Sequence, residues 1–110
     1  MIEIEEYLDA QGQSPFGAWF DKLDSQAALK VTTYLARIET GNTSQLKALG
    51  DGVSECRINW GPGIRIYLAW DGQRLVILLG GGTKRRQSKD IDNAKSAWKD
   101  YKSRKRKDRK

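Results

Sequence analysis

Between Val53 and Leu79, apolar and polar positions fall into three short runs that read as strands. The first, Val53 to Trp60, and the second, Ile64 to Trp70, are separated by Gly61-Pro62-Gly63. The third, Arg74 to Leu79, follows Asp71-Gly72-Gln73. Strand composition broken by tight-turn residues predicts a three-stranded antiparallel meander. Side chains alternate across a strand, so the pattern also sorts faces. Cys56, Ile58 and Trp60 share one face with Ile64, Ile66, Leu68 and Trp70. Glu55, Arg57 and Asn59 share the other with Arg65 and Tyr67. One face is a core face, and the other collects polar groups. The third run ends in Gly80-Gly81-Gly82, which places Lys84, Arg85 and Arg86 at the rim of the sheet.

The flanking segments change period. Ile2-Glu3-Ile4-Glu5 alternates like a short strand with one buried face. Ser14-Pro15 is a helix start, a hydroxyl cap followed by proline at the first helical position. Phe16, Trp19, Phe20 and Leu23 follow at helical spacing, and their apolar face predicts packing on the sheet. Asp24 or Ser25 can cap a second helix. Ala28, Val31, Leu35 and Ile38 form its stripe, with Tyr34 beside it and Lys30, Arg37 and Glu39 on the wet side. The two helices make a hairpin. Residues 40–52 read as a polar connection pinned by Leu46 and Leu49, with Lys47 between them able to reach the polar face. A last helix over 89–101, capped by Ser88 or Asp90, lines up Ile91, Ala94, Ala97, Trp98 and Tyr101. Trp98 is its core anchor. The element order is β-α-α-β-β-β-α, an α+β fold. Its antiparallel sheet carries the helical hairpin on one face, which leaves the Arg57, Arg65, Tyr67 face open or concave.

Length and charge narrow this further. At 110 residues the chain is one domain. Its formal charge is +6, from 20 Lys and Arg against 14 Asp and Glu. Residues 102–110 alone hold seven basic side chains and one acidic, so residues 1–101 are neutral with thirteen of each. This basic tail, a flexible end or a helical extension, carries the surplus. Any polyanion site on the body must come from local clustering, such as Arg57, Arg65 and Lys84. The single cysteine, Cys56, excludes an intrachain disulfide and falls on the core face as buried filler. There is no histidine to activate a thiol or bind a metal, and no cysteine cluster takes its place, so neither metal nor other cofactor is expected. No apolar run is long enough for a membrane span, and the start lacks a signal-peptide pattern. These point to a cytoplasmic protein with no membrane partner.

Four stretches in order resemble one family. They are Lys-Ala-Leu-Gly-Asp-Gly-Val-Ser-Glu-Cys-Arg-Ile (47–58), Gly-Pro-Gly-Ile-Arg-Ile-Tyr (61–67), Leu-Leu-Gly-Gly-Gly-Thr-Lys (78–84) and Asp-Ile-Asp-Asn-Ala-Lys (90–95). With the element order, they resemble the RelE/ParE toxin superfamily of bacterial type II toxin–antitoxin modules, in its HigB-like addiction module killer protein branch. The resemblance covers nearly everything except the basic tail, which departs from a family that often ends near Tyr101. It implies a growth-arresting toxin held by a cognate antitoxin, with operator DNA bound only through that antitoxin. RelE- and HigB-type members cut mRNA on the translating ribosome, and ParE-type members poison DNA gyrase.

The residues suit RNA cleavage by the substrate's own 2′-hydroxyl. Guanidinium groups grip phosphate oxygens bidentately and stay charged, which suits Arg57 and Arg65 to a phosphorane. Lys84 stands where the family places a basic catalytic residue. Tyr67 is placed to stack on a base or donate a proton, and Glu55 is the candidate base or, equally, the ion-pair partner of Arg57 or Arg65. Lys47, Arg85 and Arg86 are candidate RNA contacts, and the tail a candidate contact to ribosomal RNA through counterion release. Two other readings stay open: a gyrase inhibitor without nuclease activity, and a plain nucleic-acid-binding module driven by the tail.

Overall fold

Two caps set where the helical hairpin begins. The Ser14 side chain accepts a hydrogen bond from the Gly17 amide at 2.8 Å, and Asp24 accepts one from Ala27 at 2.8 Å. In the computed structural model, which describes residues 1–108, these start helices α1 (Pro15–Asp21) and α2 (Ser25–Glu39). Strand β1 (Glu3–Glu6) precedes them. The meander follows as β3 (Val53–Ile58), β4 (Ile64–Asp71) and β5 (Leu75–Thr83).

Two further features depart from the sequence reading. The connection over 40–52 contains a strand, β2 (Leu46–Gly50), paired antiparallel with β3. Its turn, Gly50-Asp51-Gly52, holds all three residues at positive φ, a conformation that favours glycine. β2 is an edge strand with Lys47 and Ala48 exposed, so backbone pairing builds it and no apolar alternation announces it. β1 joins the other edge, parallel to β5. The sheet is therefore mixed rather than wholly antiparallel, in the order β1-β5-β4-β3-β2.

The second face of the sheet is not open. After a short 3₁₀ turn over Lys84–Arg86, helix α3 (Gln87–Asp108) lies across it. Phe16, Val31 and Ile38 from the hairpin meet Cys56, Ile66 and Leu68 on one side of the sheet. Ala94, Ala97 and Trp98 from α3 meet Val53, Tyr67, Ala69, Ile77 and Leu79 on the other. The run Leu75–Leu79 is apolar at every position because both of its faces are covered. Glycine lets the layers close on β5. A Cβ at Gly81 would lie 2.3 Å from the Trp19 ring, and one at Gly82 would lie 2.1 Å from the Asp90 carboxylate.

Helix α3 runs past the predicted end at Tyr101, so the basic run is helical through Asp108, and residues 109–110 lie outside the described residues. Side chains dock this extension. The Tyr7 hydroxyl donates to Asp100 at 2.6 Å, and the Tyr101 hydroxyl donates to Asp71 at 2.6 Å. Arg104 pairs with Asp100 at 2.6 Å and also donates to the Leu8 carbonyl. Cys56 is fully buried, and burial pushes its thiol up to about 11.

Candidate functional site

Register brings the predicted polar residues together in two rows on the α3 side of the sheet. Lys47, Glu55 and Tyr67 stand opposite one another across β2, β3 and β4, and Tyr67 faces Gly80 on β5. In the next row Arg57 faces Arg65, and Arg65 faces Gly82. Two arginines directly opposed across an antiparallel pair repel. Glu55 offsets this from the neighbouring row. Its Oε1 accepts from Arg57 Nε at 3.0 Å, and its Oε2 lies 3.4 Å from Arg65 Nε. The second contact is an ion pair without hydrogen-bond alignment, so among the described residues Glu55 Oε2 and Arg65 Nε lack a hydrogen-bond partner.

The three charges differ in access. Glu55 is fully buried and Arg65 nearly so, whereas the Arg57 side chain is 51% exposed. Arg57, Arg65 and Lys84 line one cleft of about 550 Å³, together with Tyr34, Gln45 and Asn59. Lys84 is held at its mouth because its amide donates to the Gly63 carbonyl at 3.2 Å, which ties the end of β5 to the β3–β4 turn. Two arginines and an exposed lysine converge on one open hollow, and guanidinium and ammonium groups have the chemistry to grip a phosphate.

Other predicted residues are placed differently. Tyr67 is fully buried beneath α3, where it cannot stack on a nucleobase. Among the described residues its hydroxyl has no hydrogen-bond partner. Burial, with the nearby Asp90 and Glu55 carboxylates, pushes it up to about 12, so it stays protonated at neutral pH. Glu55 is sealed beneath the arginines, which suits it to hold them rather than to take a proton from a substrate. Lys47 is exposed beside Glu55. Arg85 and Arg86 are exposed on the 3₁₀ turn and line a separate hollow of about 460 Å³ that shares Lys84 with the cleft. Asp90, read from the sequence as a cap, lies over Gly82, and burial raises its carboxyl above the usual range. The signal for it was a glycine in a strand facing a carboxylate in the following helix.

The family model described as Phage derived protein Gp49-like (DUF891) matches residues 18–102, which include every residue of the cleft. The chain belongs to this family. The Gp49-like family comprises RelE-like toxins associated with toxin–antitoxin modules, and membership implies a cognate antitoxin. A Gp49-like chain of this kind is also similar to an uncharacterized protein of Haemophilus influenzae (strain Rd). The two are 42% identical over 81 residues, 73% of this chain and 82% of the relative. Among the described residues no helix is long and apolar enough to cross a membrane.

Proposed function

We propose that this Gp49-like protein is the toxin of a type II module, of HigB-like type, and that it cuts mRNA on the translating ribosome until its antitoxin neutralises it. The observation that carries the reading is the single cleft shared by Arg57, Arg65 and Lys84. In the reaction, a ribose 2′-hydroxyl gives its proton to solvent water, its oxygen bonds to the adjacent phosphorus, and the P–O5′ bond breaks. The products are a 2′,3′-cyclic phosphate and a 5′-hydroxyl, and the leaving oxygen takes up a proton. Arg57 and Arg65 balance the charge on the phosphorane oxygens, and Lys84 supplies charge or a proton to the leaving oxygen. Glu55 is a positioning residue that keeps two opposed guanidinium groups aimed at one place. Among the described residues the cleft is lined by cations and no accessible carboxylate, so alignment of the 2′-oxygen falls to the ribosome, and free RNA is a poor substrate.

The test is cell-free translation of a defined mRNA with primer extension, comparing wild type with Lys84→Ala and Arg65→Ala. Lys84 is exposed, so its loss tests chemistry without disturbing the core. Translation-dependent cuts that vanish in both variants support the proposal. Intact mRNA and normal protein synthesis with the wild-type protein refute it and direct attention to gyrase supercoiling.

A further inference from the structure

From Lys95 to Arg106 the basic residues of α3 divide into two sets. On the β1 and β4 side, Arg104 pairs with Asp100 and Lys105 with Asp71, so both charges are met by carboxylates. On the β2 side, Lys95, Lys99, Lys102 and Arg106 recur at helical spacing, which forms one stripe. Among the described residues a single carboxylate, Asp51, meets this stripe, at 3.3 Å from Lys95. Lys99 and Lys102 are exposed, and the Lys102 ammonium sits 5.4 Å from the centre of the Trp98 ring. Lys102 and Arg106 of the basic tail thus continue the row begun by Lys95 and Lys99.

This side borders an open hollow of about 580 Å³. Lys95, Lys99 and Lys102 line it with Trp98 and the Asp51-Gly52 turn. Gly52 begins the approach to β3, whose far end carries Arg57 in the cleft. Five residues of strand separate Gly52 from Arg57, roughly 17 Å. Lys47 stands along that path, beside Glu55. From Lys95 to Lys102 the helix adds roughly 10 Å. Cations therefore recur from Lys84 and the arginines, past Lys47, to Lys102, a reach suited to several nucleotides.

We infer that the hollow between the β2–β3 turn and α3 is a second RNA contact, in which Lys99 and Lys102 hold the phosphate backbone of a strand that leaves the arginine cleft past Lys47. The inference rests on the reading of the protein as an RNA-directed toxin. It adds a surface that binds RNA without cutting it. Phosphate contacts of this kind release counterions and carry no sequence preference.

The full chain is titrated into a fluorescent single-stranded RNA of about a dozen nucleotides, followed by anisotropy over a salt series. The Lys99→Ala/Lys102→Ala variant is expected to bind roughly tenfold more weakly, with a log–log salt slope reduced by about 1.4, two contacts at about 0.7 each. Circular dichroism checks that the variant is folded. Unchanged affinity and slope overturn the inference. So does a variant that binds RNA normally but loses its antitoxin, because the stripe is then a protein contact. The same samples enter the translation assay. Lysine-dependent RNA binding without mRNA cutting leaves the track standing and removes the nuclease reading. Cutting with lysine-independent binding removes the track alone.

Discussion

Replacing Glu55 with glutamine changes one atom's identity and one charge, and it tests whether the carboxylate organises the arginine pair. Glu55 is fully buried between Arg57 and Arg65. The Arg57 side chain is 51% exposed, so solvent screens that pair and its loss costs at most about 1 kcal/mol. Arg65 is different, with a side chain only 9% exposed. Removing the partner of a buried charge costs about 3–5 kcal/mol. The 3.4 Å contact lacks hydrogen-bond alignment, which places the expectation near the low end, at about 3 kcal/mol. For a domain of this size that lowers Tm by roughly 10–15 °C. Urea and thermal unfolding of Glu55→Gln measure it directly. A cycle with Arg65→Met isolates the pair, because removing both charges should cost less than the two single changes added, by about 1–3 kcal/mol. Glu55→Gln unfolding within about 0.5 kcal/mol of wild type, or additive behaviour in the cycle, would refute the idea that Glu55 neutralises Arg65.

Trp98 is 8% exposed and stacks on Tyr101 at 5.3 Å, so Trp98→Ala should lower stability by about 3–5 kcal/mol in the same unfolding assay. Tyr67→Phe removes a buried hydroxyl that has no partner and should leave stability unchanged or raise it by about 1 kcal/mol. A clear loss in urea would show that the hydroxyl has a partner in solution. With its thiol buried and pushed up to about 11, Cys56 should resist a thiol reagent at pH 8 in native protein and react promptly in denaturant. Comparable rates in both would contradict its burial.

Much of the fold was legible because local signals agreed with tertiary packing. The caps at Ser14 and Asp24, the hairpin stripe and the meander register all follow from spacing and turn chemistry. The convergence of Arg57, Arg65 and Lys84 was equally readable, since antiparallel pairing and a glycine-terminated third strand place them together. The coverage of their face by α3 was harder to see, although two signs were present. Leu75–Leu79 is apolar at consecutive positions, and Ala69 is a small residue on the supposedly polar face. Both mark a strand buried on two sides. Reading Arg65 and Tyr67 as a wet face missed that an arginine at the border of a helix contact can be buried against a carboxylate. The β2 strand left almost no trace, because edge pairing depends on backbone groups that every residue has. The parallel placement of β1 depends on which sheet edge is free after the meander forms, and no local pattern encodes that choice.

That placement of β1 governs when the molecule is finished. Glu3 pairs with Leu75 and Glu6 with Leu78, and Tyr7 reaches Asp100, so this strand is secured by residues made long after it. Contacts this distant in sequence are slow to form. During synthesis the opening segment can reach Glu39 early, through the Ile2 amide, but it has no sheet partner until β5 has been made. Lys84 and the helix that seals Glu55 and Tyr67 also belong to that late portion. A chain released early therefore lacks part of the cleft as well as the clasp on its own first strand, and an interrupted round of synthesis yields no assembled site.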